Sequence, residues 1–135
     1  LRSVMEETIL YNTALMRAAL AEATTLRERL LALIRCELQS ITGGTGEAMA
    51  VLVYEWRSLS EEGQAYILSL RDIYEQMWLE VLEEARAAGC SQGDPFILRR
   101  FLTGALSWSI TWFRPEGSLT LDELAEQALL LVMRE

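Results

Sequence analysis

Apolar residues recur at helical spacing along almost the entire chain, and no stretch alternates with the period of a strand. From about Arg2 to Leu20, Met5, Ile9, Met16 and Leu20 fall close to one helix face. Thr25 and Glu28 then have capping-box spacing, and Leu26, Leu30, Leu33, Ile34, Leu38 and Ile41 follow as an amphipathic core stripe. Gly43, Gly44 and Gly46 break that helix. A short helix over about Glu47–Arg57 carries Met49, Val51, Leu52, Val53, Tyr54 and Trp56 around nearly its whole circumference, so burial on all sides is expected. Ser60, followed by Glu61 and Glu62, opens the longest helix, which runs to about Ala88 and stops at Gly89. Its inward face is expected to hold Tyr66, Leu70, Ile73, Tyr74, Met77, Val81 and Ala85, widened by Ile67, Trp78 and Leu82. Its acids, Glu75 among them, are expected to face water.

Asp94–Pro95 pairs an N-cap acid with a proline at the first helical position. The helix that follows, to Phe113, has two apolar faces: Ile97, Phe101, Ala105, Trp108 and Trp112 on one, Leu98, Leu102, Leu106, Ile110 and Phe113 on the other. Arg114–Pro115–Glu116–Gly117 ends it. Thr120 and Glu123 form a capping box, with Leu119 and Leu124 as its hydrophobic staple, and the last helix runs to about Arg134. Leu121, Leu124, Ala125, Ala128, Leu131 and Val132 form its stripe, and Leu129, Leu130 and Met133 leave the other side apolar too. The pattern predicts an all-α domain of about six helices filling residues 1–135. Its last two helices would meet a symmetry mate as a four-helix bundle through Leu98, Leu102, Leu106, Ile110, Leu129, Leu130 and Met133.

A hydrophobic fraction of 51% supports more than one buried surface. The net charge of −8, from 20 acids and 12 bases, disfavours direct nucleic-acid binding by this stretch. Every base is Arg, and His is absent. The commonest general base and metal ligand are therefore missing, so neither an enzyme nor a metal or cofactor site is expected. Cys36 and Cys90 have no metal or CxxC spacing and read as reduced thiols of a cytoplasmic protein. The longest uncharged apolar stretch, Phe101–Phe113, has 13 residues, short of the roughly 20 needed to span a membrane. No secretion pattern opens the chain, and helical periodicity is already running at Leu1, as in the back part of a longer protein.

The most distinctive chemistry is Trp108, Trp112, Phe113 and Arg114 at the end of a helix. Flat apolar groups beside a permanent cation suit either a helix–helix interface or a pocket for an acidic ligand with an apolar body. Three stretches carry a family resemblance: Glu55–Trp56–Arg57–Ser58–Leu59–Ser60, then Gly104–Ala105–Leu106–Ser107–Trp108 followed by Trp112–Phe113–Arg114–Pro115–Glu116–Gly117, and Leu119–Thr120–Leu121–Asp122–Glu123–Leu124–Ala125–Glu126–Gln127. With the helix order, they resemble the C-terminal effector-binding and dimerisation domain of the tetracycline-repressor family. The subgroup they resemble includes repressors of lipid and sterol-ring breakdown that respond to acyl-CoA-type ligands.

The resemblance implies a homodimer that holds operator DNA through an N-terminal helix-turn-helix expected before Leu1. Its effector, a hydrophobic acid or acyl-CoA thioester, would change operator affinity. The pocket it implies lies between the long helix, its short predecessor and the penultimate helix. Trp56, Tyr66, Tyr74, Trp78, Phe101, Trp108, Trp112 and Arg114 are its candidate lining, with Tyr54 beside them. Ordinary core or dimer packing is the competing role for each aromatic. Arg99, Arg100 and Arg114 are either anion contacts at the pocket mouth or solvated cations. The alternative function is a helical-bundle interaction module with no small-molecule ligand.

Overall fold

Small polar side chains set the helix starts. The computed structural model describes residues 3–42 and 53–134, and all regular structure among them is helical. Helix α1 (Val4–Glu22) begins at Ser3, whose hydroxyl accepts the Glu6 N–H. Before α2 (Leu26–Thr42), Thr25 Oγ accepts from Glu28 N, while the Glu28 carboxylate accepts from the Thr24 N–H and hydroxyl. That Thr24 backbone bond, with its hydroxyl, holds the Glu28 carboxyl below its ordinary value. Residues 53–58 are helical and are labelled α3. The glycine break at Gly43–Gly46 and the positions Met49, Val51 and Leu52 lie outside the described residues. Val53 and Tyr54 are exposed, so the expectation of all-round burial does not hold for the described part of α3.

Ser60 caps α4 (Glu61–Ala87) by accepting from Gly63 N. At its other end Gly89 takes φ 77°, and the Cys90 N–H reaches back to the Ala85 carbonyl, closing the helix with a left-handed glycine. Asp94 accepts from the N–H groups of Phe96 and Ile97 at the start of α5 (Pro95–Trp108). Asp94→Ala is expected to cost about 1 kcal/mol in chemical denaturation, the usual value of an N-cap acid.

Helix α5 ends five residues before the expected Phe113 and tightens into a 3-10 turn over Ser109–Thr111. Ser109 and Thr111 hydroxyls donate to the carbonyls of Leu106 and Trp108, competing with helical bonding. Pro115 further disfavours helical geometry at Arg114. The last helix, α6 (Leu121–Val132), has the full Thr120–Glu123 capping box.

Helix α2 is the centre of the fold and packs against α1, α4, α5 and α6. Leu30, Leu33, Ile34 and Leu38 of α2 are sealed against Met16 of α1 and Trp78 and Leu82 of α4. On α5, Leu102 and Leu106 enter this core, with Leu98 half-buried. On α6, Leu124, Ala125, Leu129 and Val132 do the same, with Met133 half-buried. This redistributes the expected partner-facing set. Leu102, Leu106 and Leu129 are interior to the protomer, and of that set Ile110 and Leu130 remain exposed. The outward face of α5 is instead Ile97, Phe101 and Trp108, continued by Trp112 after the 3-10 turn and joined on α6 by Leu130 and Leu131. The pattern does not choose between two equally apolar faces of α5; burial of Arg99 on the Leu102–Leu106 face decides it.

Candidate ligand cavity

Arg99 is 4% exposed. A guanidinium so deep needs compensating charge and hydrogen bonds, and two other helices supply them. Glu37 of α2, itself buried, takes a bidentate pair: Arg99 Nη1 donates to Oε2 at 2.9 Å and Nη2 to Oε1 at 2.7 Å. Glu75 of α4 takes a second: Nε donates to Oε2 at 2.6 Å and Nη2 to Oε1 at 2.9 Å. The Trp78 ring lies under the guanidinium, its centroid 4.4 Å from Cζ, adding a cation–π contact in a desolvated setting. Burial pulls the Arg99 pKa down, but the hydrogen bonds and charges of Glu37 and Glu75 outweigh it and the net shift is upward. The Tyr74 hydroxyl donates to Glu37 Oε1 at 3.2 Å. Burial first, then the Glu37 charge, push the Tyr74 phenol well above its ordinary value, so it acts as a neutral donor.

This cluster forms the floor of a cavity of about 220 Å³ walled by four helices. Ile9 and Asn12 come from α1, Ser40 and Ile41 from α2, Arg71 and Tyr74 from α4, Thr103 and Ser107 from α5. The lining is mixed: apolar side walls, several hydroxyls and one ion cluster. A second, larger hollow of about 550 Å³ lies along the α4–α5 seam, beside Phe96, Arg100 and Gln76. Arg71, Glu75, Arg99 and Thr103 line both spaces.

Of the residues expected to line a pocket, Tyr74 does so. Trp78 is sealed in the core and acts on the cavity through Arg99. Trp56 is half-buried beside the α3–α4 junction, where its carbonyl accepts from Gln64. Tyr66 is half-exposed, its hydroxyl donating to Glu6 of α1. Tyr54, Phe101, Trp108, Trp112 and Arg114 are exposed and do not border the cavity. The indole ledge of Trp108 and Trp112 thus belongs to the outer surface. Two expectations about charge also change: Glu75 is drawn partly out of water onto Arg99, and Arg99 meets the protein's own carboxylates.

The hydrophobic pattern does not single out Glu37 as a site residue. Its signal is a carboxylate set beside Ile34, Leu38 and Ile41 on the apolar side of α2, a position an unpaired acid does not hold. Both cysteines are free and half-buried, and burial pushes the Cys36 thiol up, as in an unreactive thiol. Among the described residues, no helix is long and apolar enough to cross a membrane.

The family model described as "Tetracyclin repressor-like, C-terminal domain" matches residues 23–135. The chain belongs to this family. The matched model is that of a C-terminal domain. The HTH-type transcriptional repressor KstR2 of Rhodococcus jostii strain RHA1 is 29% identical to the domain over 120 residues, 87% of this chain and 58% of that protein. The domain therefore spans little more than half the length of this curated relative. The crystal structure of superantigen PfiT is 75% identical, with a TM-score of 0.89, over 98% of this chain and 70% of that one. The crystal structure of AibR in complex with isovaleryl coenzyme A and operator DNA has the same fold: TM-score 0.69 at 22% identity, over 95% of this chain and 72% of that one.

Proposed function

We propose that this domain is the effector-sensing and dimerisation part of a DNA-binding repressor, and that its effector is a hydrophobic acid or acyl-CoA thioester bound in the four-helix cavity. The observation that carries the reading is the cavity itself: a space of about 220 Å³ with a built ion cluster at its floor, in a domain of this family. The named relatives support it. KstR2 is a transcriptional repressor, and AibR is described with both an acyl thioester and operator DNA. Operator contact falls to a helix-turn-helix preceding this domain, in keeping with the domain's charge of −8. The outward apolar faces of α5 and α6 supply the dimer contact.

The test is calorimetry of the domain with a panel of short acyl-CoA esters and their free acids, paired with operator release by the intact regulator. A member of the panel is expected to bind and to change operator affinity. Thr103→Trp, which places an indole in the cavity, abolishes binding in this reading, and Trp112→Ala, outside the cavity, leaves it unchanged. The opposite pattern in the two variants would remove the cavity as the effector site.

A second reading rests on the 75% likeness to a protein described as a superantigen. In it the exposed Phe101–Trp108–Trp112 surface recognises another protein, and the cavity carries no ligand. T-cell stimulation by the wild-type chain, lost in Trp108→Ala and kept in Thr103→Trp, would favour it.

A further inference from the structure

The two carboxylates on Arg99 are not equivalent. The Glu37 side chain is 8% exposed, whereas Glu75 is 27% exposed and stands in the wall between the cavity and the second hollow. Glu37 is also held by Tyr74, while Glu75 is held by Arg99 alone among the described residues. Glu75 has somewhere else to go. Arg71 lies one helical turn before it on the same face of α4, is exposed, and borders both spaces. Arg100 stands across the seam in the second hollow.

The charge count makes the difference consequential. Arg71, the other cation on the lining, is exposed, so around Arg99 itself two acids already surround one buried cation, and an anion approaching it there would be repelled unless one carboxylate left. A neutral ligand gains nothing from that departure, because Arg99 would lose one of its two bidentate partners. We infer that Glu75 is a built-in competitor for the effector's acidic group, and that binding exchanges the Glu75 carboxylate for a ligand carboxylate on Arg99. Glu75 swings towards Arg71 and the second hollow, while Glu37 stays in place. The exchange also opens the α4–α5 seam, because the Arg99–Glu75 pair is a direct ionic link between those helices. This inference rests on the cavity being the effector site.

Cyclohexanecarboxylate and its uncharged amide, cyclohexanecarboxamide, are suitable probes. Both are titrated calorimetrically into wild type, Glu75→Gln and Glu75→Ala at fixed ionic strength, with circular dichroism verifying that each variant is folded. Removing the competitor is expected to tighten the carboxylate about tenfold, the value of a charge-assisted hydrogen bond, and to leave the amide's affinity unchanged. A carboxylate that binds wild type and both variants equally, or binds the variants more weakly, overturns the exchange while leaving the cavity as a ligand site. Equal tightening of acid and amide overturns it as well, because the gain then comes from space and not from charge. If neither probe binds any folded variant, the cavity reading and the exchange fall together.

Discussion

Arg99→Met is expected to destabilise the domain by about 3–5 kcal/mol, the usual cost of removing one member of a buried ionic cluster. Met is close to Arg in length, so the loss is one of charge and hydrogen bonds more than of volume. The variant would leave Glu37 and Glu75 facing each other with no cation between them, and would strip the cation–π partner from Trp78. A second change separates this mechanism from simple loss of packing. Arg99→Met combined with Glu37→Gln removes the more deeply buried of the two uncompensated carboxylates, and is expected to recover a substantial part of the loss in urea denaturation. Strict additivity of the two substitutions would show that the residues act independently, contrary to the bidentate geometry. The surface pairs offer a contrast. Arg27–Glu126 and Arg35–Asp122 join α2 to α6 in solvent, and truncating either is expected to change stability by less than about 1 kcal/mol.

The second large effect concerns the outer face of α5 and α6. Phe101 is 74% exposed and Leu130 67% exposed in the single protomer, whereas Leu129, next in sequence, is 3% exposed. If the first two meet a partner subunit, Phe101→Glu or Leu130→Glu places an unpaired charge in an apolar contact. That weakens the dimer by about 2–5 kcal/mol, enough to yield monomers at micromolar concentration. Helix content stays unchanged, because neither side chain supports its own protomer. Leu129→Glu behaves differently: it puts a charge in the core and is expected to cost more than about 4 kcal/mol, unfolding the protomer itself. Sedimentation and circular dichroism together distinguish the outcomes. A dimer that survives both Phe101→Glu and Leu130→Glu would move the interface elsewhere.

Cap chemistry is local, and so it is legible in the sequence alone. Ser60, Asp94–Pro95, Gly89 and the Thr120–Glu123 box act through groups within a few residues, and each sits where the sequence places it. The helical class follows from the same local periodicity. The orientation of α5 does not, because both its faces are apolar and only a distant partner breaks the tie. That partner is Glu37, 62 positions away in sequence, with Glu75 at 24. Aromatic residues carry the most conspicuous chemistry in the sequence, yet Phe101, Trp108 and Trp112 lie outside the cavity and Trp78 beneath its floor. The clue to the site is the reverse of an aromatic box: Arg99 and Glu37, each a charge on an apolar stripe, whose mutual pairing makes both burials tolerable.

Helix α5 also has a mechanical property. Arg99 and Trp108 are separated by nine residues, which at about 3.6 residues per turn places them on opposite sides of the rod. A rigid rod cannot turn one side without the other. Any roll of α5 that draws Arg99 one way inside the protomer sweeps Trp108 the opposite way outside it, with the helix axis as fulcrum. A roll of about 10° moves groups lying roughly 6 Å from the axis through about 1 Å. What happens around a single guanidinium is thereby written, with inverted sign, onto an aromatic surface on the far side of the same helix.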